Sequence, residues 1–252
     1  MLWIGTSGWQ YADWRDRLYA GVPQKRWLER YWQSFCTVEL NASFYRLPKR
    51  ETFEGWRTRT PDGAVFTVKA SRYLTHIKRL RNPEEPVARF VGVASALGDR
   101  LGPVLVQLPP DMQADAAALD ATLALFPAGW RIAVEPRHES WWTDEVRAVL
   151  TARSAALVWA DRQEKPVTPL WRTADWGYLR LHEGCATWPA YRPTALTRWV
   201  SRLGDEYGAS SDVFVYFNND PIGAAVRDAA VFADRARRRG LPHSRVEIPP
   251  TA

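Results

Sequence analysis

Glu39, Lys69, Gln107, Glu135, Asp161, Arg180 and His182 share one feature: each stands near the C-terminal end of a short apolar run. Carboxylates and imidazoles exchange protons when their surroundings separate their pKa values, so Glu39, Glu135, Asp161 and His182 are candidates for acid/base work. Lys69 completes the catalytic set, and Glu135 is the expected principal acid/base. Arginine offers a planar fork of donors matched to phosphate or carboxylate, which Arg137 and Arg180 supply. Asn41, Tyr45, Trp9, Asn218, Asn219 and Gly223 end or follow the same runs and, with Gln107, are expected to line a ligand site. Glu135, Asp161 and His182 are also the set that would hold a divalent ion, since carboxylate and imidazole suit such metals. The neighbouring cations neutralise those carboxylates, so no cofactor is expected and a metal is the lesser alternative. Four histidines are too few for a trinuclear zinc site.

These groups converge only if the chain brings the run ends together. Runs near residues 2–6, 36–41, 64–70, 104–108, 131–137, 155–161, 177–182 and 213–218 alternate with amphipathic helical stretches, the pattern of parallel β-α units. Eight units over 252 residues predict one (β/α)8 barrel domain spanning 1–252, with a doubly wound open sheet as the alternative. Side chains two apart on a strand share a face. One face carries Val38-Leu40, Val68-Ala70, Val106-Leu108, Val158-Ala160, Leu179-Leu181 and Val215-Phe217 and is expected to meet the helices. The other carries the polar groups and gives the barrel a polar C-terminal mouth. Gln163 to Asp175 reads as a loop over that mouth, and the tail over 241–252 as an extended strap.

The chain carries a net charge of +6 and a pI near 9.5, a balance that favours anionic partners. Met1-Leu2-Trp3-Ile4-Gly5 reads as a core strand rather than a leader, no apolar run is long enough for a bilayer, and no motif pairs Cys36 with Cys185. A cytoplasmic protein without membrane attachment is the expectation. P-loop, dinucleotide and zinc-ribbon spacings are absent from the sequence, and Gly5-Thr6-Ser7-Gly8 lacks the order of a nucleophile elbow. Asp220 and Pro221 read as the N-cap and first position of a helix whose free N–H groups, around Gly223, would cup an anion at the mouth.

The blocks Gly5-Thr6-Ser7-Gly8-Trp9, Val38-Glu39-Leu40-Asn41-Ala42-Ser43-Phe44-Tyr45 and Phe66-Thr67-Val68-Lys69-Ala70 occur in order. Thr75-His76, Val106-Gln107-Leu108-Pro109, Ala133 to Trp141, Tyr178 to His182 and Tyr216-Phe217-Asn218-Asn219 follow them. Together they resemble the YecE-like family, domain of unknown function 72, over roughly residues 2–236. Pro136, where the family often has an aromatic, and Glu183, before the usual glycine, depart from its pattern. The resemblance implies a TIM barrel and no established reaction. The expectation drawn from the residues is an enzyme, of hydrolase, lyase or isomerase type, acting on a small phosphate- or carboxylate-bearing ligand. A nucleic-acid-binding or processing protein and a non-catalytic metabolite sensor or scaffold are the alternatives.

Overall fold

A computed structural model describes residues 1–185 and 187–248. Ten strands form one sheet: β1 Leu2–Ser7, β2 Thr37–Leu40, β3 Val65–Lys69, β4 Leu101–Gln107, β5 Ile132–Glu135, β6 Ala156–Leu157, β7 Trp159–Arg162, β8 Lys165–Pro166, β9 Gly177–Leu181 and β10 Val213–Phe217. Their order is β6-β5-β4-β3-β2-β1-β10-β9-β7-β8, parallel throughout except for the antiparallel β7–β8 pair. All eight expected strand positions are occupied. The sixth is split into β6 and β7 around Val158, and β8 turns part of the expected loop at 163–175 into a short hairpin. The sheet curls, because one stretch of chain serves both of its ends. Leu157 pairs with Val134 of β5, Trp159 pairs with Leu179 of β9, and Val158 N–H between them donates to Val134 O at 2.9 Å. The architecture is an α/β fold: a curled, mixed ten-strand sheet with helices alongside.

The helices are α1 Trp27–Ser34, α2 Ala42–Tyr45, α3 Arg50–Thr58, α4 Glu84–Ala94, α5 Ala116–Leu123, α6 Asp144–Ala152, α7 Pro193–Tyr207 and α8 Ala224–Arg238, joined by shorter turns. Alternation along the strands sorts the core into two layers. Val38, Val106, Leu179 and Val215 pack outward against helices. Leu105, Ala133, Tyr178, Phe214 and Tyr216 fill the inside of the curl. Polar atoms in that inner layer are matched: Tyr216 OH lies 2.6 Å from Thr37 Oγ1 and 2.7 Å from Thr67 Oγ1.

The sixth position reverses the expected faces. Ala156 and Val158 belong to the inner layer, while Leu157 and Trp159 belong to the outer one. Trp159 packs against Trp199 and Tyr207 of α7, with ring centroids 6.3 and 5.4 Å away. The bulk of Trp159 fixes this parity, because the small residues on either side of it suit the crowded interior and an indole does not. Asp161, two residues on, must then face the helices.

The segment after α8 straps the N-terminal edges of the strands. Leu2 N–H donates to Pro242 O at 2.8 Å, Ser244 N–H to Leu2 O at 2.8 Å, and Ile4 N–H to Ser244 Oγ at 3.0 Å. Of the expected strap, 249–252 lie outside the described residues. Close approach of β1 to β2 depends on Gly5, where an added Cβ would fall 2.2 Å from Thr37 O. Gly5→Ala should therefore lower the unfolding free energy by roughly 1–3 kcal/mol, read from urea denaturation.

Candidate functional site

Parallel packing delivers the last residues of successive strands to one edge of the curl. Ser7 ends β1, Lys69 ends β3, Gln107 ends β4 and Glu135 ends β5; Glu39 and Arg180 lie one residue inside β2 and β9. His182 and Asn218 immediately follow β9 and β10. Ligand sites of parallel α/β sheets form at this carboxyl edge because the connecting loops are free to shape it.

At its centre is a buried charge cluster. Arg180 is 2 % exposed and Glu39 and Glu135 are 0 % and 1 % exposed, so none has bulk water to offset its charge. Arg180 Nη2 and Nε donate to Glu39 Oε1 and Oε2 at 2.8 and 3.1 Å, and Nη1 donates to Glu135 Oε2 at 2.6 Å. The remaining carboxylate lone pairs are also taken. Ser7 Oγ donates to Glu39 Oε1, Tyr178 OH to Glu39 Oε2 at 2.6 Å, and Gln107 Nε2 to Glu135 Oε2 at 2.8 Å. Arg137 Nε and His182 Nε2 each lie 3.3 Å from Glu135 Oε1. Buried charges of this kind survive only when paired and hydrogen-bonded on every side.

Burial pushes both carboxyls up, and the Arg180 charge with the surrounding donors outweighs it. Glu39 falls below its ordinary range and Glu135 well below it. A carboxylate so held has no proton to give near neutral pH. Glu135 is therefore held as an anion, which suits the accepting half of the expected acid/base role rather than the donating half. Burial lowers His182, with Glu135 opposing, so the imidazole is neutral at pH 7. Asn218 Nδ2 lies 3.0 Å from His182 Nδ1; with the amide donating there, the ring proton sits on Nε2 and points at Glu135.

Above the cluster opens a cavity of about 540 Å³ whose wall includes Lys69, Arg72, Phe44, Tyr45, Asn41 and Arg137. Asn41 Nδ2 donates to Ser7 Oγ at 2.7 Å, leaving its Oδ1 without a partner. A second depression of about 380 Å³ lies beyond Arg137 and includes Glu135, His182 and Thr168, so part of the loop at 163–175 does border the mouth. Lys69, Gln107, Asn41, Tyr45, Arg137, Arg180, Glu39, Glu135, His182 and Asn218 are thus brought together as their spacing suggests.

Four expected site residues are not. Asp161 Oδ2 accepts from Trp199 Nε1 of α7 at 2.8 Å, a consequence of the strand parity set by Trp159, and burial raises its carboxyl. The metal set of Glu135, Asp161 and His182 is therefore not assembled. Trp9 is buried behind the sheet, edge-on to Trp56 with ring centroids 5.9 Å apart, because the turn at Gly8 (φ +98°) folds it away from the mouth. Asn219 is 1 % exposed and donates to Asp228 Oδ2 at 2.6 Å and to Pro189 O at 2.9 Å, anchoring a loop to α8. Gly223, not Asp220, is the N-cap of α8; it faces Arg17, and the adjacent Ile222 N–H is taken by Asp13 Oδ2 at 2.9 Å. Conversely, Ser7, Tyr178 and Arg72 were not among the expected site residues. Ser7 had a legible signal, since it pairs in register with Glu39 at the end of β1.

A curled, mixed sheet with a buried Glu–Arg–Glu cluster beneath a cation-lined mouth defines the class of protein. The chain matches the family model "Protein of unknown function DUF72" over residues 3–251, and it belongs to that family. It is 32% identical over 139 residues to the UPF0759 protein YecE of Escherichia coli K12, covering 55% of this chain and 49% of that protein. That alignment spans about half the length of the relative. It is 28% identical to the UPF0759 protein YunF of Bacillus subtilis over 260 residues, covering 89% of this chain and 91% of that protein. A DUF72 family crystal structure from Thermotoga maritima superposes with a TM-score of 0.83 at 26% identity, over 94% of this chain and 99% of the other. One from Enterococcus faecalis superposes with a TM-score of 0.81 at 18% identity over the whole of both chains, a likeness of fold. Among the described residues no helix is long and apolar enough to cross a membrane, and Cys36 and Cys185 are both free thiols.

Arg180→Met strands two buried carboxylates and should cost about 3–5 kcal/mol in urea unfolding at pH 7. Because Glu39 and Glu135 sit below their ordinary value of 4.5, their contribution is complete above that pH and is lost as pH falls through the folded-state values. Wild-type stability should accordingly fall more steeply below pH 4.5 than that of Glu39→Gln.

Proposed function

We propose that this protein is a cytoplasmic enzyme of small phosphate- or carboxylate-bearing metabolites, working as one domain whose sheet closes through residues 156–162 into a (β/α)8 barrel. The observation that carries this reading is the division of charge at the mouth. Both carboxylates are paired with Arg180, and Glu135 also with Arg137, whereas Lys69, Arg72 and Arg137 line the cavity with three cations. The wall facing a ligand is thus net positive, and arginine forks suit a phosphate or carboxylate. A volume of about 540 Å³ lies in the range of small-metabolite sites.

The chemistry belongs to the groups with a proton to exchange. Glu135 orients His182 and stabilises the imidazolium that forms when His182 takes a proton from the ligand. Asn218 holds Nδ1 and would release it on ligand entry. Lys69 stands opposite, its Nζ donating to Gln107 Oε1 at 2.8 Å, and Gln107 in turn donates to Glu135. Any charge change at one end of this chain is felt at the other.

Inorganic phosphate should raise the melting temperature in a saturable way, by about 2.7 kcal/mol of stabilisation at a hundredfold excess over its Kd. Arg137→Ala should weaken that binding about tenfold or more. Burial, with Arg180 nearby, lowers the Lys69 ammonium to about 8, so affinity should decline as pH rises through 8. A thermal response to short single-stranded oligonucleotides but not to phosphate would redirect the reading to nucleic acid. Saturable binding across a panel of phosphate and carboxylate metabolites without turnover would make the protein a sensor.

A further inference from the structure

Lys69 is unlike the other lysines of the chain. Of five, it alone is buried; Lys25, Lys49 and Lys165 are exposed and Lys78 is half-buried. A buried lysine ordinarily faces a carboxylate, since an isolated ammonium is costly to desolvate. Among the described residues Lys69 forms no ion pair: its one hydrogen bond goes to the neutral amide of Gln107, and its Nζ lies 3.9 Å from the centroid of the Phe44 ring. The nearby carboxylates that would neutralise it are already committed to Arg180. Its amine nevertheless opens into the mouth cavity rather than into packed core.

We propose that Lys69 is a nucleophile that captures a carbonyl, forming an imine with an aldehyde or ketone whose phosphate or carboxylate is held by Arg72 and Arg137. This inference rests on the anion-binding reading of the mouth and narrows its substrate to carbonyl compounds. The step is balanced without an added reagent. The lone pair of neutral Nζ adds to the carbonyl carbon, and the carbonyl oxygen becomes a hydroxyl by taking a proton from that nitrogen through water. The hydroxyl then leaves as water with one proton from solvent, giving the protonated imine, an electron sink for bond cleavage or isomerisation at the adjacent carbon.

The surroundings favour the free amine. Burial acts first, and the charges of Arg180 and Arg137 add to it against Glu39 and Glu135, which brings the ammonium to about 8. At pH 7 about a tenth of Lys69 is then free base, some two orders of magnitude more than for a lysine at its ordinary 10.5. Gln107 fixes the direction of the nitrogen, and Phe44 closes one side of it to solvent.

Pyridoxal phosphate, an aldehyde carrying a phosphate, is a direct probe. The intact protein is treated with it at pH 7, reduced with borohydride, and the adducts are mapped by peptide mass spectrometry. The expected result is an adduct on Lys69 exceeding those on Lys25, Lys49, Lys78 and Lys165 by about tenfold or more. Competition by inorganic phosphate and much weaker labelling by pyridoxal lacking the phosphate should accompany it. The rate should climb up to and level off above pH 8; Arg72, Arg137 and His76 share the cavity, and the charges on Arg180, Glu39 and Glu135 stay fixed over that range. Lys69→Arg keeps the positive charge and should lose the adduct while its far-ultraviolet circular dichroism matches that of the wild type. Reaction at the other lysines with Lys69 unmodified would overturn the proposal. If phosphate still stabilised the protein, the anion site would stand without the imine; if it did not, both would fall.

Discussion

The arrangement of this mouth depends on one guanidinium. Arg180 lies in the interior with a carboxylate on either side, and its planar donors fit Glu39 with two bonds and Glu135 with one. Neither carboxylate could remain ionised there without it, and Arg180 could not be buried without both. Everything placed around the cluster serves its remaining lone pairs: Ser7 and Tyr178 on Glu39, Gln107, Arg137 and His182 on Glu135. Because those donors come from β1, β4, β9 and the segments that follow β5 and β9, the cluster also ties together strands that are not all neighbours in the sheet.

That constraint divides labour among the charges. The acidic groups that look catalytic in the sequence are the ones the fold consumes, and the groups left facing the cavity are basic or neutral. Lys69 and Arg72 line the cavity without a carboxylate of the cluster as partner, and Arg137 reaches it while pairing with Glu135. His182 is the exchangeable group closest to Glu135, and its tautomer follows from Asn218 on one nitrogen and the carboxylate on the other.

Much of this was legible in the sequence because strand ends in parallel β-α units arrive at one edge, so a polar residue at the end of an apolar run is a mouth residue. The rule holds for Lys69, Gln107 and Glu135, which end their strands. It fails for Asp161, because Val158 and Ala160 were placed on the face that meets the helices. Trp159 decides the matter, and its size next to Ala160 is a signal present in the sequence itself. Trp9 and Asn219 fail for another reason. A turn at Gly8 and a loop anchored on Asp228 redirect them, and neither geometry has a periodic pattern from which it can be read. The helix start at Gly223 shows the limit of capping rules: Asp220 and Pro221 do begin a turn, but a separate short one that precedes α8.

The place where an oxyanion binds tests the anion-binding mouth most directly. Crystals soaked in tungstate would locate it by anomalous scattering from the heavy atom. A peak is expected in the mouth, in contact with Lys69, Arg72 and Arg137 and above the Arg180 cluster. A peak at the N-terminus of α8 beside Gly223, with the mouth empty, would contradict it.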